Sequence, residues 1–163
     1  MSDCDRLAPA ALAFDLGASG GRAVSGRLVD GRLATEEVHR FPNDPVRVHD
    51  HLYWDILRLF HEVTLGLRKA RSHGPIASVG IDSWAVDFGL IGANGDLLAN
   101  PRHYRDPYTA GVAERVWSNV PREELFRRTG IQMLPFNTIY QLTALKRLNP
   151  SLLDRARTLL LIP

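Results

Sequence analysis

The chain has 163 residues, of which 45% are hydrophobic and 23% are charged, and its formal net charge is +2. This composition predicts a globular chain with a sizeable core and excludes a mainly disordered one. The basic residues are nearly all arginine and are scattered along the chain, so no nucleic-acid partner is expected. The sequence shows no signal-peptide pattern, no membrane-spanning run and a single cysteine, Cys4, which together favour a cytoplasmic location without a membrane partner.

The start of the chain predicts three antiparallel strands joined by tight turns. The strands cover residues 11–16, 22–29 and 32–39, and the turns fall at the small residues 17–21 and at Asp30-Gly31. Successive strands with connections this short form a meander.

A loop, a helix and a fourth strand are predicted next. Two prolines and several polar residues make residues 42–51 a predicted loop. From Asp55 the apolar residues recur at helical spacing, with this aspartate as the N-cap and Gly74-Pro75 as the stop. Residues 76–81 then form a strand that the crossover helix places parallel to the sheet.

The second half of the chain is predicted to be mostly helical. A hairpin is expected within residues 86–99 around Asn94-Gly95, and helices are expected over roughly 109–119, 122–129 and 137–148. The apolar run Leu159–Ile162 is expected to be buried, in a sheet or against a following element, so the chain looks cut short. The element order predicts an α/β domain of the ribonuclease-H-like or actin-like type, with a mixed sheet, flanking helices and an incomplete C-terminal end.

The first candidate site is the stretch AFDLGASGGR, residues 13–22, which has two interpretations. As a phosphate-binding loop, its glycines let the backbone approach an anion and its exposed N–H groups bind it. Asp15 then holds Mg²⁺ through water, and Arg22 adds positive charge near the phosphates. As an ordinary glycine-rich hairpin, the stretch carries only a solvated aspartate and arginine.

The second candidate site is SVGIDSWAVDFGLI, residues 78–91. Asp82, Trp84 and Ala85 follow a strand, and open α/β sheets bind ligands beyond the carboxyl ends of their strands. The sequence predicts that the ends of the first and fourth strands bring Asp15 and Asp82 to one hollow. In the alternative interpretation, Asp82 caps a turn and Trp84, with Phe88, is a core aromatic residue.

Two further stretches are polar and aromatic. In GIQMLPFNTIYQL, residues 130–142, Phe136 and Asn137 suit the apolar face and the hydroxyls of a sugar. The alternative is a helix start with Asn137 as the N-cap. In NPRHYRDPYT, residues 100–109, a binding loop and a solvated loop held by salt bridges remain equally open.

Taken in order, the segments FDLGASGGR, HRFPN, YWDI, SVGIDSWAVDFGL, HYRD, RTGIQMLPFNTIYQL and LLLIP strongly resemble the FGGY carbohydrate kinases of the actin-like ATPase superfamily, and within them the rhamnulokinases. The likeness runs from about residue 12 to the last residue. It implies that residues 11–163 are a truncated N-terminal actin-like domain behind a flexible stretch 1–10, and that the second domain is absent.

This resemblance also implies a reaction and a set of site residues. The reaction is transfer of the γ-phosphoryl group of MgATP to the 1-hydroxyl of L-rhamnulose, with L-fuculose and D-xylulose as rival sugars. The expected ATP-binding residues are Asp15, Gly17, Ala18, Ser19, Gly20, Gly21 and Arg22, with Asp15 also associated with Mg²⁺. The expected sugar-binding residues are Asp82, Trp84, Ala85, Phe136 and Asn137.

The chain departs from the resembled family at two positions and in its extent. The loop reads ASGGR where ASSGR is usual, so Gly20 lacks a hydroxyl, and Ala85 stands where a substrate-contacting glycine is usual. The catalytic aspartate of the family is expected beyond Pro163, so no general base is assigned and the chain alone is predicted to be inactive. The competing hypotheses are a non-catalytic actin-like module that binds sugar or nucleotide, and a remnant that associates through exposed surface. The oligomeric state is not predicted.

Overall fold

The structure is a computed structural model that describes residues 8–162. These residues form two compact units, one containing 8–44 and 55–85 and the other containing 45–54 and 86–162. Residues 1–7, including Cys4, lie outside the described range, and so does most of the stretch predicted to be flexible. Within residues 8–162, no helix is both long enough and apolar enough to cross a membrane.

Five strands precede the first helix, two more strands follow it, and the remaining helices come before the last strand. The strands are β1 Ala10–Leu16, β2 Gly20–Val29, β3 Arg32–Pro42, β4 Val46–Val48, β5 His51–Tyr53, β6 Ile76–Ser83, β7 Phe88–Ile91 and β8 Thr158–Leu161. The helices are α1 Ile56–Arg71, α2 Val112–Trp117, α3 Arg122–Thr129, α4 Thr138–Leu148 and α5 Pro150–Arg155, with a 3₁₀ turn at Pro107–Thr109.

The first unit contains a four-stranded mixed sheet in the order β3-β2-β1-β6. Strands β1, β2 and β3 are antiparallel neighbours, and β6 is parallel to β1, which confirms the predicted meander and crossover. The tight β2–β3 turn forms because Asp30 and Gly31 both adopt positive φ, at 51° and 75°. This conformation matches the twist of the paired strands.

The core of the first unit lies between α1 and one face of the sheet. Strand β1 alternates buried and exposed residues, so Leu12, Phe14 and Leu16 pack beneath the helix. Helix and sheet approach closely at Gly66, where an added Cβ would lie 2.7 Å from the Phe14 ring. Helix α1 begins as predicted, with the Asp55 side chain accepting a hydrogen bond from the Arg58 N–H at 3.0 Å.

The prediction of a loop over residues 42–51 is wrong. Strand β3 extends to Pro42, and β4 and β5 pair as a short antiparallel hairpin. This hairpin lacks a buried apolar face, since every residue of β4 is exposed. It is held by backbone pairing and by Asp106, whose Oδ2 accepts a hydrogen bond from the Leu52 N–H at 2.5 Å. Hydrophobic periodicity therefore gave no signal for it.

The second unit contains the remaining helices and the two-stranded sheet of β7 and β8. The turn at Gly95, where φ is 84°, folds the chain back towards β7. An isolated bridge pairs Ile91 with Leu97 there, whereas the full ladder of β7 forms with β8. The helix expected over 109–119 is shorter and is preceded by the 3₁₀ turn.

The expectation that the final apolar run is buried is wrong for its side chains. Strand β8 does enter a sheet, yet Leu159, Leu160 and Leu161 are 38%, 55% and 46% exposed. The reason is that β8 is bonded only to β7, and strand pairing satisfies the backbone without covering the side chains.

Candidate phosphate and sugar site

Three charged residues form a row across the sheet of the first unit, near the carboxyl end of β1. Asp15 of β1 is the register partner of Arg22 in β2 and of Asp82 in β6. Register partners on neighbouring strands project from the same face of a sheet. The predicted proximity of Asp15 and Asp82 is therefore confirmed, and both residues are exposed. That they share one hollow stays a prediction, since the groove over the turn is lined by Asp15 and not by Asp82.

Arg22 and Asp15 form an ion pair within this row. The Arg22 Nε and Nη2 donate to the Asp15 Oδ2 at 2.9 and 2.7 Å, and both side chains are about half exposed, at 49% and 50%. Arg22 thus offsets the negative charge of Asp15 beside the second carboxylate, that of Asp82.

The loop between β1 and β2 is a tight turn whose glycines are required by close packing. The Gly17 N–H donates to the Gly20 carbonyl at 2.9 Å. A Cβ at Gly21 would lie 2.2 to 2.9 Å from atoms of the Phe41 ring, and one at Gly20 would lie 3.2 Å from the Phe41 carbonyl. None of these glycines has a positive φ, so close approach rather than backbone conformation explains them.

Asn43 is a loop-holding residue that sequence reasoning missed. Its Nδ2 donates to the Gly17 carbonyl at 2.8 Å, and its backbone N–H donates to the Ser19 carbonyl at 3.3 Å. The side chain is buried, so both bonds are shielded from water. The only signal in the sequence was the segment HRFPN, which entered as part of the resemblance and without a role.

An open groove of about 610 Å³ lies over this loop. Its lining includes Asp15, Ser19, Gly20, Arg22, Arg40 and Phe41. A carboxylate, two guanidinium groups and a glycine-rich backbone turn are donors and acceptors that suit a polyphosphate with a magnesium ion. Within residues 8–162 no group of three or more His, Cys, Asp or Glu side chains is placed to hold a metal ion.

The sugar-binding candidates divide between the two units. In the first unit, Asp82 and Ala85 are exposed, while Trp84 is half-buried and packs against the core beneath α1. In the second unit, the Phe136 ring meets the Tyr104 ring edge-on at 5.5 Å. Asn137 is the residue before α4, as the alternative interpretation predicted, but its side chain makes no capping bond there.

The polar loop of residues 100–109 is partly exposed, at Asn100, Arg105 and Pro107, and is anchored by the buried Asp106, which also forms an ion pair with Arg102 at 3.5 Å. Asp106 is buried and accepts hydrogen bonds from the backbone N–H groups of Leu52 and Tyr108. His103 is also buried and stacks on the Tyr104 ring at 4.5 Å. Burial, reinforced by the positive charge of Arg105, lowers the pKa of His103 to about 4.

Asp87 is the polar centre of the second unit. Its fully buried carboxylate accepts hydrogen bonds from the Trp54 Nε1 at 2.6 Å, the Gln141 Nε2 at 3.0 Å and the Tyr104 N–H at 3.2 Å. Burial and the negative charge of Asp87 raise the pKa of Tyr108, whose hydroxyl donates to the Gln141 Oε1 at 2.6 Å. Asp87 therefore joins three segments of this unit.

The mixed sheet and its crossover helix are those of an α/β domain of the actin-like ATPase type. The chain matches the model of the FGGY family of carbohydrate kinases, N-terminal domain, over residues 10–163. The chain belongs to this family.

Curated relatives of the chain include two rhamnulokinases. The protein of Oceanobacillus iheyensis is 47% identical over 154 residues, covering 93% of this chain and 33% of that protein. The protein of Bacteroides thetaiotaomicron is 44% identical over 152 residues, covering 93% of this chain and 31% of that protein. The chain thus spans about a third of the length of the curated relatives it matches.

Solved structures share the fold at lower identity. The gluconate kinase of Lactobacillus acidophilus superposes with a TM-score of 0.80 at 18% identity, covering 93% of this chain and 31% of that one. The xylulose kinase of the same organism gives a TM-score of 0.79 at 18% identity, with the same coverage. These likenesses show the actin-like fold of sugar kinases.

Proposed function

We propose that the chain is the N-terminal part of a rhamnulokinase, which transfers the γ-phosphoryl group of ATP to the 1-hydroxyl of L-rhamnulose. The observation that carries the proposal is the row of Arg22, Asp15 and Asp82 beside the glycine turn, in a chain whose relatives include rhamnulokinases. In this transfer a bond forms between the sugar O1 and the γ-phosphorus, and the bond from that phosphorus to the bridging oxygen breaks. The hydroxyl proton passes to a general base that lies outside this chain.

The residues of the first unit have distinct binding roles in this proposal. The turn 17–21 would bind the phosphates with those backbone N–H groups that are not used within it, as the Gly17 N–H is, and Asp15 would hold the magnesium ion through water. When bound, MgATP would supply the phosphoryl group, and its magnesium ion would neutralise part of the negative charge of the phosphates. Arg22 keeps the Asp15 carboxylate in one position through its two hydrogen bonds. Asn43 holds the turn through its bonds to the Gly17 and Ser19 carbonyls.

Five residues have sugar-binding roles in this proposal. Asp82 and Asn137 offer oxygen atoms to sugar hydroxyls, and Trp84 and Phe136 offer aromatic faces to the apolar side of the sugar. Ala85 places a methyl group where a close contact is expected. A cytoplasmic location suits a kinase that uses ATP.

A hybrid enzyme tests the proposal. The chain would be joined to the remaining two thirds of the Oceanobacillus iheyensis rhamnulokinase, and ADP release would be measured with L-rhamnulose. Turnover is expected for the hybrid and not for the chain alone, because phosphoryl transfer depends on positioning by a complete cleft. A folded hybrid that releases no ADP with L-rhamnulose contradicts the proposal.

Asp15→Asn in the hybrid is expected to lower kcat at least tenfold, because an amide does not supply the negative charge that the metal ion requires. Asp44→Asn, an exposed change outside the groove, is the matched control. Equal rates for the two variants would remove Asp15 from the proposed metal site.

A second candidate function is a non-catalytic module that binds sugar or nucleotide. Calorimetry on the chain with MgATP and with L-rhamnulose separates the candidates. Tight binding by the chain alone supports the module, whereas a half cleft binds weakly.

A further inference from the structure

An apolar pocket lies in the second unit, away from the phosphate groove. It has a volume of about 260 Å³. The side chains that matter here are Val86, Leu125, Ile131, Met133, Asn137 and Ile139. Five of these six are aliphatic or thioether side chains. The polar lining consists of Asn137 and of Thr129 and Thr138, whose hydroxyls donate to the Leu125 and Val86 carbonyls. The pocket therefore suits a small ligand that is mainly apolar and has at least one polar group nearby.

Val86 is the structurally unusual member of this lining. Its φ is 71°, a left-handed conformation that a β-branched residue rarely adopts. The backbone is held there through its carbonyl, which accepts hydrogen bonds from the Thr138 Oγ1 and the Gln141 Nε2, both at 3.3 Å. Backbone outliers of this kind cluster at functional sites, where the surrounding structure maintains them. The first turn of α4 thus fixes the Val86 side chain against the pocket.

The polar edge of the pocket coincides with a proposed sugar contact. Asn137 donates from its Nδ2 to the Gln132 carbonyl at 2.8 Å, which fixes the amide orientation. Among the described residues its Oδ1 makes no hydrogen bond, so this oxygen is the side-chain atom available to a ligand. Val86 also follows Ala85 directly in the chain. Hence the aliphatic wall and the available acceptor belong to one small surface.

We propose that this pocket receives the C6 methyl group of a 6-deoxyketose and that Val86 is a specificity-determining residue. The inference rests on the proposed function. C6 of L-rhamnulose is a methyl group, whereas C6 of L-fructose is a hydroxymethyl group. A methyl group against Val86, Ile131 and Met133 loses no hydrogen bond on burial. Val86, Ile131 and Met133 offer no hydrogen-bonding side-chain partner to a hydroxyl in the same place, so its desolvation disfavours the sugar that carries it.

The chain itself provides the first test. Selective ¹³C-methyl labelling of valine, isoleucine and methionine allows titration with L-rhamnulose and L-fructose by NMR. L-rhamnulose is expected to shift the methyl signals of Val86, Ile131 and Met133, and to bind about tenfold more tightly than L-fructose. Equal affinities, or L-rhamnulose shifts that avoid these methyl groups, overturn the inference.

An isosteric variant tests the role of Val86. Val86→Thr keeps the β-branched shape and places a hydroxyl in the pocket, so the preference for L-rhamnulose over L-fructose is expected to fall about tenfold. Val120→Thr, a matched change in the same unit outside the pocket, is expected to leave the preference unchanged. If Val86→Thr does not fold, Ile139→Thr at the exposed edge of the pocket takes its place, with the same expected direction.

Failure of the inference and failure of the proposed function give different results. If the hybrid phosphorylates both sugars with equal kcat/KM, and Val86→Thr changes neither, the methyl pocket is wrong while the kinase assignment stands. If neither sugar shifts the methyl signals of the chain and the hybrid phosphorylates neither sugar, the inference and the proposed function are both wrong. If the hybrid prefers L-rhamnulose and Val86→Thr leaves that preference intact, discrimination lies in residues outside this pocket.

Discussion

At the scale of single residues, the phosphate turn depends on the absence of a side chain at Gly21. The Phe41 ring lies against this position, and the His39 ring is 5.5 Å from Phe41 on its strand. His39 in turn bonds the buried Glu62 of α1 at 2.6 Å. The turn is therefore supported by an aromatic ring that the helix helps to fix.

Gly21→Ala is expected to destabilise the chain by about 1–3 kcal/mol, because the new methyl group must displace the Phe41 ring. The free energy of unfolding in urea would measure this loss. Gly80→Ala in β6 is the control, since a Cβ there meets nothing within 4 Å. Equal stability of the two variants would show that the Phe41 ring moves aside at no cost.

His103 gives the second unit a dependence on pH. The Arg105 N–H donates to its Nδ1 at 3.0 Å, which places the ring proton on Nε2, and that atom has no hydrogen-bond partner within residues 8–162. The pKa of about 4 in the folded chain lies below the ordinary value of 6.5. Between these values the unfolded chain binds a proton that the folded chain does not.

Stability is therefore expected to be fully present above pH 6.5 and to fall as the pH is lowered towards 4, by about 3 kcal/mol in total. His103→Asn keeps an acceptor for the Arg105 N–H but does not titrate, so its stability should change less over the same range. Urea unfolding at several pH values measures both slopes. Parallel slopes for the two proteins would show that other groups cause the dependence.

At the scale of elements, the stability of α1 depends on the hydrogen bond that caps its first turn. Asp55 is the N-cap, and its carboxylate accepts the Arg58 N–H, one of the donors that a helix leaves unpaired at its start. Asp55→Ala is expected to cost about 1 kcal/mol of stability. Asp154→Ala, at an exposed aspartate of α5, should change stability by less than about 0.5 kcal/mol. Thermal unfolding of both variants compares the losses.

Local signals in the sequence predicted the first sheet well because its contacts are close along the chain. Strands β1 to β3 follow each other through tight turns, and α1 has a clear helical period. The β4–β5 hairpin was missed because its stability comes from Asp106, about fifty positions away, and from backbone pairing. The partner of β7 was missed for the same reason, since β8 lies near the end of the chain.

The candidate site was predicted in part. The sequence placed Asp15 and Asp82 at neighbouring strand ends, and the register confirms it. It did not reveal why the loop requires glycine, because the Phe41 ring that occupies the space comes from β3. The strained Val86 was also invisible, since valine alone predicts an ordinary strand. Contacts between distant segments carry no periodic pattern.

At the scale of the whole molecule, the first sheet leaves β6 as an open edge. Val79 and Ile81 on this strand are 49% and 52% exposed, and the neighbouring positions carry no charge until Asp82. An exposed apolar edge strand favours association between copies.

Val79→Lys is expected to reduce concentration-dependent self-association of the chain, because a lysine on an edge strand opposes strand pairing. Sedimentation velocity over a range of concentrations measures the effect. Leu28→Lys, at an equally apolar and more exposed position on the inner strand β2, is the control. Equal association of both variants with the parent chain would place the contact elsewhere.

Within residues 8–162, the polypeptide passes between its two compact units at three points, after residues 44, 54 and 85. Neither unit can therefore be expressed as one uninterrupted gene segment. A version ending at residue 85 would retain Trp54 but lose Asp87, the carboxylate that accepts a hydrogen bond from its indole N–H. Cloning the sheet unit by itself requires replacing residues 45–54 with a short linker, so that no orphaned tryptophan is carried along.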